Sequence, residues 1–421
     1  MPDFDLIGIG VGPANLSLAA LSAPLTELRT QFLDAKKEFR WHPGLMLPDS
    51  QLTVTYFRDL VTLVDPRSEF SFLNFLVEEG RAFRFLEANG LSCSRREFEQ
   101  YYQWAAARLP SLQWGRRVES VSLSGEGFRI TSEGGDTRTA RNLVIGSGAE
   151  PCLPDFAKPF EGEQVLHSSN LTGTRPDWKG RRVLVVGAGQ SGAEIVHHIL
   201  SDENHLPSSL TWTSSRIGFQ PLDDSPFSNE WFTAEFVDYF HGLPSARRAE
   251  ILREQRNAGG DGITDELIGS VYQRLYHLDH VVRSDLRHRL LVSRRVVGLE
   301  QNGSEFVAEI HDANHGGTER LPVDLVIFCT GYHNPIPEYL KPIQDRLSIE
   351  DGRFQVRPDY SLVLDGPEDH RIYVQGFAEN SHGIVDTVLT LASWRSARIL
   401  NSVLGREAYR ADQGATTVAW Q

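Results

Sequence analysis

The stretch RRVLVVGAGQSGA, residues 181–193, joins a short apolar run to three glycines at the spacing G-x-G-x-x-G. A similar element opens the chain as FDLIGIGVGPANLSLAA, residues 4–20, with Pro13 where the third glycine would stand. A buried strand, a glycine-rich turn and a helix together bring backbone N–H groups close to a phosphate at the helix N-terminus. One such turn is weak evidence, but two in one chain predict an α/β fold with two Rossmann-like, dinucleotide-binding domains.

The first turn indicates a site for a nucleotide with an unphosphorylated ribose. A second apolar strand, residues 30–33, ends in Asp34, roughly twenty residues beyond Gly12. An acidic residue at this point accepts a hydrogen bond from the ribose 2′-hydroxyl of FAD or NAD. A glycine-rich turn without a ligand is the alternative. The residues of this turn that we expect to bind FAD are Gly8, Gly10, Gly12, Pro13 and Asp34.

The second turn indicates a site for a 2′-phosphate. The strand that follows its helix, Ser209–Thr213, ends in two serines and Arg216, with no carboxylate. A carboxylate would repel a 2′-phosphate, whereas hydroxyls and a guanidinium hold it, so we expect NADPH rather than NADH. A solvated surface charge is the alternative for Arg216. The residues that we expect to bind NADPH are Gly187, Gly189, Gln190, Ser191, Gly192 and Arg216.

Three later strands are expected to complete the flavin half. Residues 142–148 and 324–331 end in small residues that let a strand approach the flavin closely, and residues 372–376 lead to a final helix over residues 388–400. The flavin contacts predicted from these strand ends are Gly148, Thr330, Gly331 and Gly376. The predicted domains are 1–168 and 320–421 for FAD, 169–228 and 281–319 for NADPH, and a helical substrate-binding region over 229–280.

Composition excludes several other classes of protein. A formal net charge of −14 without a basic run argues against nucleic-acid or anionic-membrane partners. The three cysteines, Cys93, Cys152 and Cys329, form no C-x-x-C pair, so neither a disulfide reductase nor a cysteine-rich metal site is expected. No apolar run approaches 18 residues, and the N-terminus lacks a charged segment typical of a signal peptide. We expect a soluble, cytoplasmic protein without a metal.

A motif of sulfide-oxidising and Baeyer–Villiger flavin monooxygenases, F-x-G-x-x-x-H-x-x-x-W, is nearly present. Phe160, Gly162 and His167 match it with one residue too many before the histidine, and Leu171 stands in place of the tryptophan. The near match indicates a relative of those enzymes rather than a member. His167 is as well explained by a structural role between the domains.

Four segments together resemble the flavin-dependent N-hydroxylating monooxygenases, which are the lysine, ornithine and diamine N-hydroxylases of siderophore biosynthesis. The segments are GIGVGPANLSLA (8–19), FRWHPGLMLPDSQLTVTYFRDLVTLVDPRSEFSFLNFL (39–76), DDSPFSNEWF (223–232) and AENSHGIVDTVLTLASWRSARIL (378–400). The resemblance implies NADPH- and O2-dependent N-hydroxylation of the terminal primary amine of a small aliphatic amine, through a C4a-hydroperoxyflavin, for a hydroxamate siderophore. It also implies a homo-oligomer, a dimer or tetramer. Oxidation of a sulfide or another soft nucleophile, and a flavin redox protein that does not hydroxylate, remain open.

The resemblance assigns further residues to the flavin. In the family a W-H-x-G-M stretch lines the isoalloxazine ring, which corresponds to Trp41 and His42, while Thr53 stands where many relatives have glutamine. The histidine, glycine and isoleucine of residues 382–384 join this set. No acid–base residue is implied, because the flavin carries the chemistry. The flavin contacts implied by resemblance are Trp41, His42, Thr53, His382, Gly383 and Ile384.

The substrate site shows a mixed pattern. Ornithine-specific relatives hold the substrate carboxylate with a lysine and a serine, whose positions here are Arg58 and Val385. Arginine can still bind a carboxylate, but valine donates no hydrogen bond. Asn229 matches a family asparagine near the nicotinamide and the substrate, and a helix N-cap is the alternative for it. The candidate partners for the distal ammonium of a diamine, with solvated surface carboxylates as the alternative, are Asp223, Asp224, Asp261 and Asp265. We expect lysine, cadaverine or putrescine rather than ornithine.

Overall fold

The computed structural model describes residues 2–125, 127–365, 370–411, 414 and 416–420, and it is built around two sheets. The first sheet has the order β3-β2-β1-β6-β5-β4, and β19 pairs with the last residues of β6. Its strands are β1 (Phe4–Ile9), β2 (Thr30–Leu33), β3 (Leu112–Gln113), β4 (Val118–Ser124), β5 (Gly127–Ser132), β6 (Thr137–Ile145) and β19 (Ile372–Val374). The central strand β1 pairs in parallel with β2 and β6. Its sequence is a continuous apolar run because both faces of the sheet are covered at this strand.

The second sheet is parallel throughout, with the order β11-β10-β9-β15-β8. Its strands are β8 (Val165–His167), β9 (Arg182–Val186), β10 (Ser209–Thr213), β11 (Arg287–Leu291) and β15 (Leu325–Phe328). The expectation that β8 and β15 belong to the flavin half is wrong. In β15, Phe328 lies opposite Val186 of β9 and His167 of β8. The side chains of β15 are buried in the core of the second sheet.

Three smaller ladders complete the strands. An antiparallel sheet of β12 (Arg294–Asn302), β13 (Glu305–Asp312) and β14 (Thr318–Val323) covers one face of the second sheet. The two linkers between the domains pair with each other as β7 (Glu150–Pro151) and β16 (Tyr332–His333). A short hairpin consists of β17 (Ile349–Glu350) and β18 (Arg353–Phe354).

The helices cover the sheets and form the expected helical region. They are α1 (Pro13–Ser22), α2 (Phe72–Glu78), α3 (Ala82–Ala88), α4 (Arg95–Ala107), α5 (Leu171–Thr174), α6 (Gln190–Ser201), α7 (Ala234–Gly242), α8 (Ser245–Glu254), α9 (Asp265–Tyr276), α10 (Glu379–His382) and α11 (Ala392–Leu404). Three of them, α7 to α9, lie within the predicted region 229–280. The last helix begins at Ala392 rather than at 388, because residue 388 is extended (φ −118°, ψ 165°). Within the described part of the chain, no helix is long and apolar enough to cross a bilayer.

Candidate active site

The first glycine turn leaves the N-terminus of α1 open. Gly10 has φ +85°, and a Cβ there would lie 2.5 Å from the carbonyl oxygen of Gly146, so a side chain cannot be accommodated. Gly12 is the N-cap residue of α1 and faces open space, and within the described part of the chain no side chain caps this helix. Pro13 takes the first helical position, where a missing N–H costs nothing. The turn therefore offers free backbone N–H groups to a diphosphate, and the departure from the third glycine does not obstruct it.

Asp34 lies where the ribose prediction requires it and also holds the turn. Its Oδ2 accepts a hydrogen bond from the Val11 N–H at 2.6 Å, and its Oδ1 accepts one from the Lys36 N–H at 2.7 Å. The Lys36 Nζ lies 3.6 Å from Oδ2. Because a carboxylate has about four lone-pair sites, capacity for a ribose hydroxyl remains. That contact stays a prediction.

The segment with Trp41 and His42 lies where the two domains meet. Trp41 is buried, with its ring edge-on to that of Tyr102. His42 has the unusual φ of +45°, and burial, together with the nearby Arg95 and Lys36 charges, lowers its pKa to about 4. The next turn contacts the start of the second domain, because the Thr172 hydroxyl donates to the Pro43 carbonyl oxygen. Thr53, by contrast, is exposed.

The loops after β6 and β19 contribute the remaining predicted flavin residues. Gly148 and Gly376 face open space at the carboxyl ends of the first sheet, as a dinucleotide site requires. His382 is buried, and its ring stacks on that of Tyr360 at 4.0 Å between centroids. Burial lowers the pKa of His382 to about 3. A direct contact of its side chain with the cofactor stays a prediction.

The predicted contacts Thr330 and Gly331 lie in the linker. The Thr330 hydroxyl donates to the Cys152 carbonyl oxygen, and the Cys152 N–H donates to the Gly331 carbonyl oxygen at 2.9 Å. These bonds extend the ladder of β7 and β16 toward the second sheet. The pair thus connects the domains, while its approach to the flavin remains a prediction.

The second glycine turn has the geometry of a phosphate site as well. Gly187 has φ +116°, and a Cβ there would lie 2.3 Å from the Cys329 carbonyl oxygen. A Cβ on Gly192 would lie 2.2 Å from the Gly187 carbonyl oxygen, so the helix packs directly on the turn. The helix α6 begins at Gln190, with Ser191 in its first turn and Gly189 before it, and no side chain of the described residues caps it. Its first N–H groups are available to a diphosphate.

Arg216 follows the second strand of this domain, as predicted, and its charge is uncompensated. The guanidinium donates to the Asp261 carbonyl oxygen at 2.8 Å, to Gln220 Oε1 at 3.0 Å and to Asn257 Oδ1. All three acceptors are neutral, and Arg216 makes no ion pair among the residues that the structure describes. The Asp261 carboxylate pairs instead with Arg256 at 3.0 Å. A half-buried guanidinium with neutral partners fits a phosphate.

Two features of the site were not predicted from the sequence. The loop of residues 257–262 lies on the second turn, where a Cβ built on Gly189 would be 3.6 Å from the Gly260 carbonyl oxygen. The same loop lies against the first domain, where a Cβ built on Gly259 would be 3.0 Å from Cγ2 of Ile384. Behind the turn, Arg95 of α4 binds Glu194 of α6 through two hydrogen bonds of 2.7 and 3.0 Å. Neither contact could be predicted from local sequence patterns, since the partners are far apart in the chain.

Arg58 is the most informative predicted substrate residue. Its side chain is partly buried, and desolvation lowers its pKa below the ordinary value. Among the described residues its guanidinium has no hydrogen-bond or ion-pair partner. The neighbouring Asp59 is occupied otherwise, since its carboxylate accepts from the N–H groups of Thr62 and Phe72 at 2.7 Å each. The Ser17 hydroxyl of α1 donates to the Leu60 carbonyl oxygen at 2.5 Å, which fixes this segment on the first helix after the flavin turn.

The other predicted substrate residues are less free. The Asn229 side chain donates to the Asp224 carbonyl oxygen at 2.7 Å, so it stabilises its own turn. Val385 is 1% exposed and lies in the core of the first sheet. The Asp261 carbonyl oxygen accepts a hydrogen bond from Arg216, and its carboxylate pairs with Arg256. Contact of these three residues with a substrate stays a prediction.

Comparison with known proteins agrees with this site. The profile of the L-lysine 6-monooxygenase/L-ornithine 5-monooxygenase family matches residues 3–334. The chain is 36% identical to the L-lysine N6-monooxygenase of Escherichia coli over 420 residues, which is 99% of this chain and 98% of that protein. Its fold is similar to that of the FAD-bound cadaverine monooxygenase of desferrioxamine biosynthesis from Erwinia amylovora, with a TM-score of 0.91, 32% identity, and coverage of 99% and 97%.

A second solved structure holds both predicted cofactors. The ornithine N-hydroxylase of Kutzneria sp. 744, solved with reduced FAD, NADP+ and L-ornithine, has a TM-score of 0.88 at 29% identity, with coverage of 97% and 100%. The predicted family, enzyme class and cofactor pair are confirmed by these relatives. The chain belongs to the L-lysine 6-monooxygenase/L-ornithine 5-monooxygenase family, whose members are N-hydroxylating monooxygenases that use FAD and NADPH.

Proposed function

We propose that this enzyme hydroxylates the side-chain amine of L-lysine, for a hydroxamate siderophore. The observation that carries the proposal is the partly buried side chain of Arg58, which lies in a segment fixed to α1 and has no partner within the part of the chain that the structure describes. A partly desolvated guanidinium favours a bound counter-ion, and an amino-acid carboxylate matches a guanidinium in two parallel hydrogen bonds. Cadaverine and putrescine have no carboxylate. The 36% identity to a lysine monooxygenase supports the same choice.

Each cofactor is assigned to one turn. FAD takes the turn after β1 and supplies the activation of O2, and NADPH takes the turn after β9 and supplies the reducing equivalents. The protein's part is to orient the amine and to keep water away from the reacting atoms. The 257–262 loop suits this role because it lies on the second turn and against Ile384 of the first domain.

The amine must also arrive without its proton. A free alkylamine has a pKa of about 10.4, so its deprotonation at pH 7 costs roughly 4–5 kcal/mol. A partly desolvated site lowers this cost, since burial disfavours the ammonium.

Substrate comparison tests the proposal. The wild-type enzyme and the variants Arg58→Ala and Arg58→Lys are given lysine, ornithine, cadaverine and putrescine, and hydroxylated product is measured beside NADPH oxidation. We expect lysine to be preferred, and its kcat/KM to fall roughly 10- to 100-fold in Arg58→Ala, as for a lost charged hydrogen bond. Arg58→Lys should keep part of the activity, and the low rate with cadaverine should not change.

Cadaverine is the second candidate, because Val385 is buried and cannot supply a further donor to a carboxylate. Preference for cadaverine in the wild type, with no effect of Arg58→Ala, would favour it and contradict the lysine proposal. Peroxide without any N-hydroxylated amine would point instead to a sulfide substrate or to a redox protein. The predicted dimer or tetramer is a separate proposal, which sedimentation of the purified enzyme tests.

A further inference from the structure

A buried chain of four polar side chains lies beneath the first glycine turn. Its members, Asn15, Gln375, Asp386 and Arg395, are each at most 3% exposed. They come from α1, from the residue after β19, from the segment after α10 and from α11. Such groups are retained in a core only when each of them is hydrogen-bonded, because an unpaired buried polar group is costly.

The chain begins at the flavin turn. Asn15 donates from Nδ2 to the Gly10 carbonyl oxygen at 2.7 Å and to the Ile9 carbonyl oxygen at 3.3 Å. A Cβ built on Gly146 would lie 2.7 Å from the same amide nitrogen, so Asn15 fits tightly between the loops after β1 and β6. Its Oδ1 accepts a hydrogen bond from Gln375 Nε2 at 2.8 Å. Asn15 therefore connects both loops to the end of β19.

The chain ends in an ion pair that fixes the third loop. Arg395 donates from Nε to Gln375 Oε1 at 3.0 Å, and from Nη1 to the carboxylate and the carbonyl oxygen of Asp386 at 2.9 and 3.0 Å. The Asp386 carboxylate in turn accepts from the Ala378 N–H at 2.5 Å and from the Gly376 N–H at 3.3 Å. The backbone of the loop that leaves β19 is thus hydrogen-bonded to Asp386, which in turn pairs with Arg395 on α11.

We propose that Arg395 is a positioning residue for the flavin: through Gln375 and Asp386 it holds the three loops after β1, β6 and β19 in the geometry that binds FAD. Ligands of parallel sheets bind at the carboxyl ends of the strands, and these are the three strand ends that the chain connects. Loops fixed before binding cost less entropy when the ligand arrives. The proposal depends on FAD binding to the first turn and not on which amine is hydroxylated.

The test compares three variants of the full-length enzyme. Arg395→Lys keeps the charge, but a single ammonium cannot reproduce the fork that reaches both Gln375 and Asp386. Gln375→Met leaves the ion pair intact and disconnects it from Asn15. Arg371→Lys is the matched control, since Arg371 pairs with Asp359 at 2.7 Å at the opposite, amino end of β19. Each is measured for FAD affinity by flavin fluorescence on reconstitution, for thermal stability, and for peroxide released per NADPH.

We expect Kd for FAD to rise about tenfold in Arg395→Lys, the effect of one lost buried hydrogen bond, and less in Gln375→Met. Both should release more peroxide than the wild type, whereas Arg371→Lys should lower only the melting temperature. If Arg395→Lys does not fold, the FAD affinity and the peroxide release of Gln375→Met test the proposal by themselves. FAD affinity and peroxide release that match the wild type in the variants that fold would overturn the proposal. It would also be overturned if the control changed both as strongly. Lysine hydroxylation by the wild type is a separate result, so the two proposals fail independently.

Discussion

Replacing Arg216 with alanine is expected to abolish the preference for NADPH over NADH. The guanidinium is half-buried and donates only to neutral oxygens of Gln220, Asn257 and Asp261, so its charge is available to a 2′-phosphate. A hydrogen bond to a charged group contributes about 1.5–3 kcal/mol. This corresponds to roughly 10- to 150-fold in Kd. We expect Kd for NADP+ to rise by this factor, and Kd for NAD+ to rise less, because NAD+ has no 2′-phosphate and loses only the support that Arg216 gives to the 257–262 loop.

Two measurements check this expectation. Calorimetric titration gives Kd for NADP+ and NAD+, and anaerobic flavin reduction at increasing NADPH and NADH gives the kinetic counterpart. Arg216→Lys should retain part of the preference, since it keeps a point charge without the fork. Arg253→Ala is the control, because Arg253 is exposed on α8 and, among the described residues, its side chain donates only to the Ala249 carbonyl oxygen, at 3.2 Å. An equal loss for both nucleotides in Arg216→Ala would refute the assignment of the 2′-phosphate.

Three further changes have defined outcomes. Gly187→Ala places a Cβ 2.3 Å from the Cys329 carbonyl oxygen; the turn must shift, so NADPH should bind more weakly and a peroxide assay should detect more peroxide per NADPH consumed. Glu194→Gln leaves Arg95 without its charged partner, and denaturant titration should find the free energy of unfolding lower by about 3–5 kcal/mol. Burial lowers the pKa of His382 from 6.5 to about 3, so the unfolded chain binds the extra proton in this range. The free energy of unfolding should therefore fall as pH decreases below 6.5, by about 1.4 kcal/mol per pH unit from this group. Urea titrations at a series of pH values should show that the free energy of unfolding of His382→Phe depends less on pH.

Local patterns predicted much of this structure correctly. The strand–turn–helix units at Phe4–Ile9 and Arg182–Val186 follow from short apolar runs, glycines and helical spacing, all within about twenty residues. The sheet of β15 was predicted wrongly, because an apolar run of four residues fits the centre of either sheet equally well. Pairing partners far apart in sequence decide this, and an isolated strand carries no information about them.

The site shows the same division between local and distant information. The residue type at Arg58 was evident from the sequence, but its lack of a partner appears only once Asp59 is seen to be bound to the backbone of Thr62 and Phe72. Likewise, the glycines of the 257–262 loop were visible, whereas their contact with Gly189 and Ile384 depends on how the domains pack. Candidate residues of the site could therefore be identified from the sequence, whereas their contacts with residues distant in the chain could not.

The pairing of the two linkers has a consequence for how the chain is assembled. Glu150 lies opposite His333, and Pro151 opposite Tyr332, so the chain leaves and re-enters the flavin domain at adjacent points. Every strand of the second sheet lies between those points. Residues opposite each other in an antiparallel ladder are only about 5 Å apart, a gap that one or two residues span. The segment between the linkers is therefore one continuous insertion that interrupts no strand of the flavin sheet, and its removal would uncover the first core, where its residues Phe232, Val237 and Ala258 are buried.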